Sequence, residues 1–540
     1  MSHAKHTPSS PAVFRIVDLF AGPGGLDVAA EVLGHQVTGI EWDEDACETR
    51  AAAGMDTFAG DVREFRAAHF PHAQVLTGGP PCQTFTVAGH GAGRRALDDV
   101  LEYIERLHGA VRSESTPWRE VFRTWRRISE ELRHKAAEAE TVKAAKREVE
   151  AVRSVTRKAV RKNLAEHGCS AEEIKIALKT PEAPLHLVRR DADLKTLFDT
   201  LISLEKALDA HRVRLEELGD ERTGLVLQPL WWVIERSRRP GLVPYQAVVL
   251  EQVPAVMRVW EEYEKVLATL GYRTRRQLMH TEAFGVPQTR RRAVLMARFG
   301  KTDIPELKET HERYRPGGVP AAAQGTDRAD GLLWDVDETT VGKSHETPKD
   351  SWVSMEAALK KVRDIAPDLN LPDRPAFTVV SNYGTGGDPG ARGRRDHDMP
   401  SSTVTGKVSR NRLVHKGTDT DLPESSRFEL AEAGVLQTFP VAYPWRGGDR
   451  SQQIGNAVPP RLALHVLRHV LEPELNDKEA DARLEQAIAK LENWRPPGEP
   501  VKVRRRKDLE AHPHTDGRAP TDHAGEVFPL TGAVSKSSAK

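Results

Sequence analysis

The chain predicts a doubly wound α/β domain, and three observations carry that prediction. An apolar run from Phe14 to Phe20 turns through Gly22, Gly24 and Gly25 into the helical spacing of Leu26 to Leu33. That is a strand, a tight turn and a helix, the opening of a βαβ unit. Two more strand-like runs follow, Gln36 to Ile40 and Ala73 to Leu76, each ending in small or polar residues. After residue 220, Leu225 to Ile234 reads as a buried helix and Ala247 to Leu250 as a sheet strand ending at Glu251. Alternating strands and helices of this kind build a parallel-type sheet covered on both faces.

The first turn fits a nucleoside better than a dinucleotide. A G-x-G-x-x-G fingerprint requires a third glycine, but Asp27 stands there, so the pyrophosphate cradle fails. At the end of the second strand, Glu41 offers a carboxylate to two ribose hydroxyls and Trp42 an indole to a purine; Trp42 as plain core is the competing reading. Asp61, after Gly60, can take an exocyclic amine. After the third strand, Cys82 sits on a loop stiffened by Pro80 and Pro81, where a thiol is placed for nucleophilic work. Cys47 and Cys169 have no such surroundings and read as small hydrophobes.

These blocks resemble the DNA (cytosine-5) methyltransferases of prokaryotic type. The resemblance rests on Phe20 to Gly25, Glu41-Trp42, Gly60-Asp61, Gly79-Pro80-Pro81-Cys82-Gln83, Glu251-Gln252-Val253, Gln288 to Arg292, and Gln453 to Pro460, in that order. It covers residues 14–95, 220–300 and 427–470. It implies the mixed sheet of S-adenosylmethionine-dependent methyltransferases, with a helical insertion and a smaller target-recognition domain. It implies a cofactor site of Phe20, Gly22, Gly24, Gly25, Leu26, Glu41, Trp42, Asp61, Val62, Pro80, Asn456 and Val458, and a catalytic set of Cys82, Glu251, Arg290 and Arg292.

The chemistry explains why such residues belong together. Carbon 5 of cytosine is a poor nucleophile until a thiolate adds to carbon 6, and the charge that builds on N3 and O2 then needs an acid and a hydrogen-bond donor. Glu251 is the implied acid and Arg292 the implied donor, and burial beside a base raises a carboxyl's pKa toward that task. The base has to leave the duplex to be reached. Glu251 as an ordinary strand-end carboxylate and Arg290 to Arg292 as a solvated charge run are the competing readings. Gln252 stands where the family has Asn, and Thr84 and Thr86 replace commoner serines, which puts the hydrogen bonding near the acid in question.

The substrate implied is double-stranded DNA, with a cognate restriction endonuclease as a candidate partner. Net charge is zero, 79 basic against 79 acidic residues. Yet from Arg374 to Lys416 eight basic residues face three acidic ones, a phosphate-facing footprint. The DNA-contacting residues expected are Gln83, Thr86, Gly89, Arg392, Arg394, Arg395, Lys407 and Arg410. Residues 375–379 and 400–404 echo each other and predict two short strands flanking a glycine- and arginine-rich loop. A plain surface hairpin is the alternative. RNA as substrate, or an idle DNA-binding relative, are the rival functions.

Between the Cys82 loop and residue 220 lies an insertion. Trp118, Val121, Trp125, Ile128 and Leu132, then Val142, Ala145, Val149 and Val152, predict one long amphipathic helix from Trp118 to Glu166. Ser170 and Glu173 mark a capping box for a second helix, and Asp191 to Leu218 a third. Solvated insert, DNA-backbone contact and partner-binding arm all remain open for it. The expected division is 1–12 disordered, 13–97 catalytic, 98–219 insertion, 220–300 catalytic, 301–426 recognition, 427–475 catalytic, 476–494 helix, and 495–540 disordered. Three separated cysteines and no Cys-x-x-Cys argue against disulfides and metal, and no run approaches the ~18 apolar residues of a membrane span. A cytoplasmic setting is expected.

Overall fold

The computed structural model describes residues 12–81, 92–179, 191–218, 221–315, 349–369, 371–381, 393–423 and 425–510. The chain forms two compact units, Met1–Pro80 with Gln228–Lys540, and Pro81–Leu227.

The first unit opens with β1 (Arg15–Leu19), α1 (Gly25–Val32), β2 (Gln36–Glu41), α2 (Glu44–Ala52), β3 (Asp56–Ala59) and β4 (Val75–Gly78). Ile16, Val17, Leu19, Val75 and Leu76 are buried, as strands covered on both faces must be. Asp43 starts α2 by accepting a bond from Ala46 N at 2.8 Å.

The second unit holds α3 (Ala92–Val111), α4 (Trp118–Glu166), α5 (Ala171–Lys179) and α6 (Ala192–Leu218). Helix α4 has the bounds its spacing predicts. Before α5, Ser170 N and Oγ both donate to Glu173 Oε2 at 2.8 and 2.7 Å, closing the expected box. Val160, Leu164, Ile174, Leu178, Leu194, Phe198 and Leu201 make this unit's distal core. Helix α3 crosses residue 98, so the predicted start of the insertion falls inside a continuous helix.

Back in the first unit come α7 (Gln228–Arg238), β5 (Ala247–Gln252), α8 (Met257–Thr269), β6 (Tyr272–His280) and β7 (Arg291–Phe299). Then follow α9 (Met355–Ile365), β8 (Phe377–Val380), β9 (Arg394–Asp396), β10 (Arg412–His415), α10 (Leu430–Leu436), α11 (Arg450–Asn456), α12 (Pro460–Leu471), α13 (Asp477–Glu492), β11 (Arg504–Arg505) and α14 (Arg506–Glu510). The main sheet runs β11-β3-β2-β1-β4-β5-β7-β6, with β7 antiparallel to both neighbours and the other pairs parallel. Strand order reverses between β1 and β4, the point where open α/β sheets bind ligands.

Two expectations need correction. Residues 495–510 are not a disordered tail. Arg504 lies over the Phe58 ring at 3.9 Å, and β11 pairs with β3. Nor is 400–404 a strand. It docks instead on the Gln288 segment, with Thr289 N donating to Ser401 O at 2.8 Å and Ser401 N to Pro287 O at 3.0 Å. The strands that do flank β8 are β9 and β10.

Candidate active site

Four parallel strands end on one edge of the sheet and deliver the predicted cofactor residues there. Phe20 and Gly22 follow β1, Glu41 closes β2 and Trp42 follows it, Asp61 and Val62 follow β3, and Pro80 follows β4. Phe20 is held in the left-handed region at φ 60°, a strained backbone that such sites tolerate. Opposite the turn, a Cβ on Gly25 would meet Val458 O at 2.1 Å, so glycine lets the closing segment lie against the loop. Leu26 is buried in the core, and Asn456 is exposed, accepting from Gln452 at 3.0 Å.

Glu41 accepts three backbone bonds, from Gly22 N at 2.7 Å and from Trp42 N and Asp43 N at 2.8 Å each. A carboxylate has about four acceptor positions, so one ribose hydroxyl fits better than two. Burial raises its pKa, and these bonds oppose the rise. Trp42 is 73% exposed and has no ring partner among the described residues, which removes the core reading. Asp61 is held by its neighbour Arg63 at 2.9 and 3.0 Å, an exposed pair that contributes little. Cys47 is buried, its thiol pushed up to about 12 by desolvation first.

Sequence reasoning missed what underlies the loop. Asp27, the residue that breaks the glycine fingerprint, takes Arg50 in a two-point bond of 2.9 and 2.6 Å, with both side chains buried. Asp18 lies beside them, its pKa raised well above the carboxylate range by burial and then by Asp27. A Cβ on Gly39 would lie 2.0 Å from the Arg50 guanidinium, so that glycine makes room for it. The only sequence signal was an acid placed where a glycine was sought.

The predicted acid and donor come together. Antiparallel β7 begins where β5 ends, and the register of Glu251 with Val294 and Gln252 with Ala293 brings Arg292 alongside Glu251. Arg292 Nε stands 2.7 Å from Glu251 Oε1, without its N–H pointing along that line. Burial pushes the Arg292 guanidinium below the usual arginine range and Glu251 opposes it. A Cβ on Gly79 would lie 3.7 Å from Glu251 Oε2. Gln252 Nε2 donates to Pro80 O at 2.5 Å, so the residue that departs from the expected Asn braces the chain just before Cys82.

A model of the C-5 cytosine-specific DNA methylases matches residues 14–106 and 246–472. The chain belongs to that family. Among its relatives, type II methylase M.HgiDII of Herpetosiphon aurantiacus is 26% identical over 273 residues, 46% of this chain and 70% of the relative. Type II methyltransferase M1.HphI of Haemophilus parahaemolyticus is 25% identical over 228 residues, 41% of this chain. The chain spans 52% of that relative's length. The Dnmt2 methyltransferase of S. pombe is a structural neighbour at TM-score 0.41 and 14% identity, covering 86% of this chain and 100% of that one.

Within this C-5 methylase the remaining site residues fall into three groups. Arg290, expected among the catalytic set, is buried and spends its guanidinium on backbone. It donates to Val404 O, Gly455 O and Ala457 O at 2.9, 3.0 and 3.2 Å, which is a clamp between segments. Gln288 shares that duty, donating to Leu436 O at 2.9 Å and accepting from Val404 N at 3.0 Å. The basic footprint is largely paired by acids outside the window or within it. Arg374 meets Glu432, Arg394 meets Asp419, Arg412 meets Asp421 and Lys416 meets Asp398. Arg374 is buried by its pair, so it faces no phosphate. Arg395 lies 4.5 Å over Tyr314, Lys407 is exposed at the start of the 408–410 turn, and Arg410 is exposed. Cys82, Gln83, Thr86, Gly89 and Arg392 lie outside the described residues. No group of metal-ligating side chains occurs among the described residues, and no described helix is long and apolar enough to cross a membrane.

Proposed function

We propose that this chain methylates carbon 5 of a flipped-out cytosine in a specific sequence of double-stranded DNA, through a covalent adduct on Cys82, as a restriction-modification or related marking enzyme. The carrying observation is the Glu251–Arg292 pair at 2.7 Å, at the strand edge that leads through Gly79 and Pro80 toward Cys82.

S-adenosylmethionine fits the donor set at the strand ends: an exposed indole, a buried carboxylate with one acceptor position left, and a glycine turn that a Cβ would close. When bound, it supplies an electrophilic methyl group. Cys82 Sγ, as thiolate, adds to carbon 6 of cytosine. Glu251 gives a proton to N3 and Arg292 turns from Glu251 to donate to O2, so the ring electrons reach carbon 5. Methyl transfer to carbon 5 would leave the cofactor as its neutral thioether; the carbon 5 proton then leaves to a base, Glu251 takes back the N3 proton and the sulfur–carbon bond breaks, returning the thiolate. Gln252 keeps Pro80 in register with the acid.

Incubating the protein with duplex DNA and S-adenosylmethionine, then bisulfite sequencing, tests this reading. Methylated cytosine confined to one sequence context, lost in Cys82→Ala, supports it. DNA left unmodified by the parent protein overturns it.

A further inference from the structure

We propose that the distal half of α4 is a second duplex-DNA contact, in which an exposed basic stripe holds phosphates without reading bases. The proposal rests on the reading of the chain as a DNA methylase but not on its chemistry.

From residue 151 to 165 the helix carries Arg153, Arg157, Lys158, Arg161 and Lys162 and no acid. One face is spent on folding. Thr156, Val160 and Leu164 are buried, Arg153 reaches Glu205 at 3.0 Å and Arg157 reaches Leu178 O at 2.5 Å. At roughly 100° per residue, Arg147, Ala151, Ser154, Lys158, Arg161 and Ala165 fall within about 40° of one line on the opposite face. All six are exposed.

Their charges are unspent. Among the described residues Lys158 and Arg161 have no side-chain partner and Arg147 bonds only the Lys143 carbonyl at 3.3 Å; Lys162, off this line, pairs with Glu166 at 3.8 Å. Ala151 and Ser154 between the cations and Ala165 beyond them keep that face low, so a polyanion can approach the helix closely. From Arg147 to Arg161 the helix rises about 21 Å, roughly six phosphate spacings along one strand. Val152 and Val155 lie to one flank of the line. An acidic protein groove would also match the sign of the charge. Duplex DNA is favoured because the family acts on it and because cations without side-chain partners among the described residues, set over small residues, suit a phosphate track.

The test is the salt dependence of binding to a duplex of adenine and thymine only, which offers no cytosine and permits no methyl transfer. Each phosphate contact contributes a slope of about 0.9 in log affinity against log salt, so R147Q/K158Q/R161Q should flatten the slope by roughly 2 to 3 and weaken binding at low salt. The lysine variant R147K/R161K should restore the parent slope. Circular dichroism establishes that the helices remain in each variant; should the triple variant lose helicity, the single substitution Lys158→Gln is read instead, with a slope change of about 1. An unchanged slope overturns the proposal and leaves a protein partner as the reason for the stripe. So does an equal loss in K265Q/K308Q/K361Q, whose lysines are exposed but ion-paired on the other unit. Loss of methyl transfer in Cys82→Ala bears on the catalytic reading alone, so the two ideas fail separately.

Discussion

Replacing Asp27 and Asp18 by Asn, singly and together, tests the buried charge group beneath the cofactor loop. Arg50 is fully buried, bonded twice to Asp27 at 2.9 and 2.6 Å and once to Thr57 at 2.9 Å. Removing the partner of a buried charge costs about 3–5 kcal/mol when nothing replaces it. Here something does. Burial, then the Asp27 charge, raises the Asp18 pKa well above the carboxylate range, and Arg50 pulls the other way. Once Asp27→Asn removes the repulsion, Asp18 ionises and becomes the counter-ion, so the single loss is expected at about 1–2 kcal/mol. Asp18→Asn replaces a carboxyl that burial and Asp27 already bias toward its neutral form, and costs under about 1 kcal/mol at neutral pH. The double variant strands Arg50 and should lose about 3–5 kcal/mol, more than the sum by at least about 1 kcal/mol. Urea denaturation of the four proteins at pH 7 measures each term. The sign with pH follows from a folded value raised above the unfolded one. Asp18 contributes stability below about pH 3.9 that is lost as pH rises through its folded value, so Asp18→Asn flattens that decline. Single and double losses that add within about 0.5 kcal/mol would refute the shared counter-ion.

Gly25→Ala sets a Cβ 2.1 Å from the Val458 carbonyl, and the overpacking should weaken S-adenosylmethionine binding at least about tenfold by calorimetry while the chain stays folded. Arg290→Lys and Arg292→Lys should separate a clamp from a catalytic group. The first loses carbonyl bonds in a buried place and about 2–4 kcal/mol of stability; the second keeps stability within about 1 kcal/mol but slows methyl transfer at least about tenfold, by paired denaturation and rate measurements. His69 accepts from Arg66 N at 3.0 Å, and burial, then Arg506, lowers its pKa to about 3. Its folded form refuses a proton that the unfolded chain accepts below about pH 6.5, so stability falls as pH drops from there toward about 3, and His69→Gln should make that slope shallower.

The parallel half of the sheet was legible because buried strands are apolar runs and their ends carry small or polar residues. Strand β6 was not, since Tyr272 to His280 holds three arginines. An edge strand needs only one partner, and Arg275 and Gln277 use their polar ends to anchor the carbonyls of Ile304 and Leu307. Strand β3 is four residues long, too short to show a period. The run at Arg504 to Lys507 reads in the sequence as part of a disordered tail. Its order comes from Phe58 and Asp56, contacts separated by more than 400 residues and invisible to local patterning. The site divides the same way. Motif order was enough to name Glu251, Arg292 and Trp42, and the fold brings all three to one edge of the sheet. That Arg290 is a clamp, that Arg374 is buried on Glu432, and that Asp27 holds Arg50 all depend on partners brought from distant segments.

The most direct measurement of the central claim is trapping on a duplex in which the target cytosine carries fluorine at carbon 5. With S-adenosylmethionine present, fluorine cannot leave as the proton does, so the protein should remain joined to the DNA through denaturing electrophoresis, and peptide mapping should place the bond at Cys82. A parent protein that methylates the ordinary duplex yet yields no adduct on the fluorinated one, or an adduct that survives Cys82→Ala, would contradict the account.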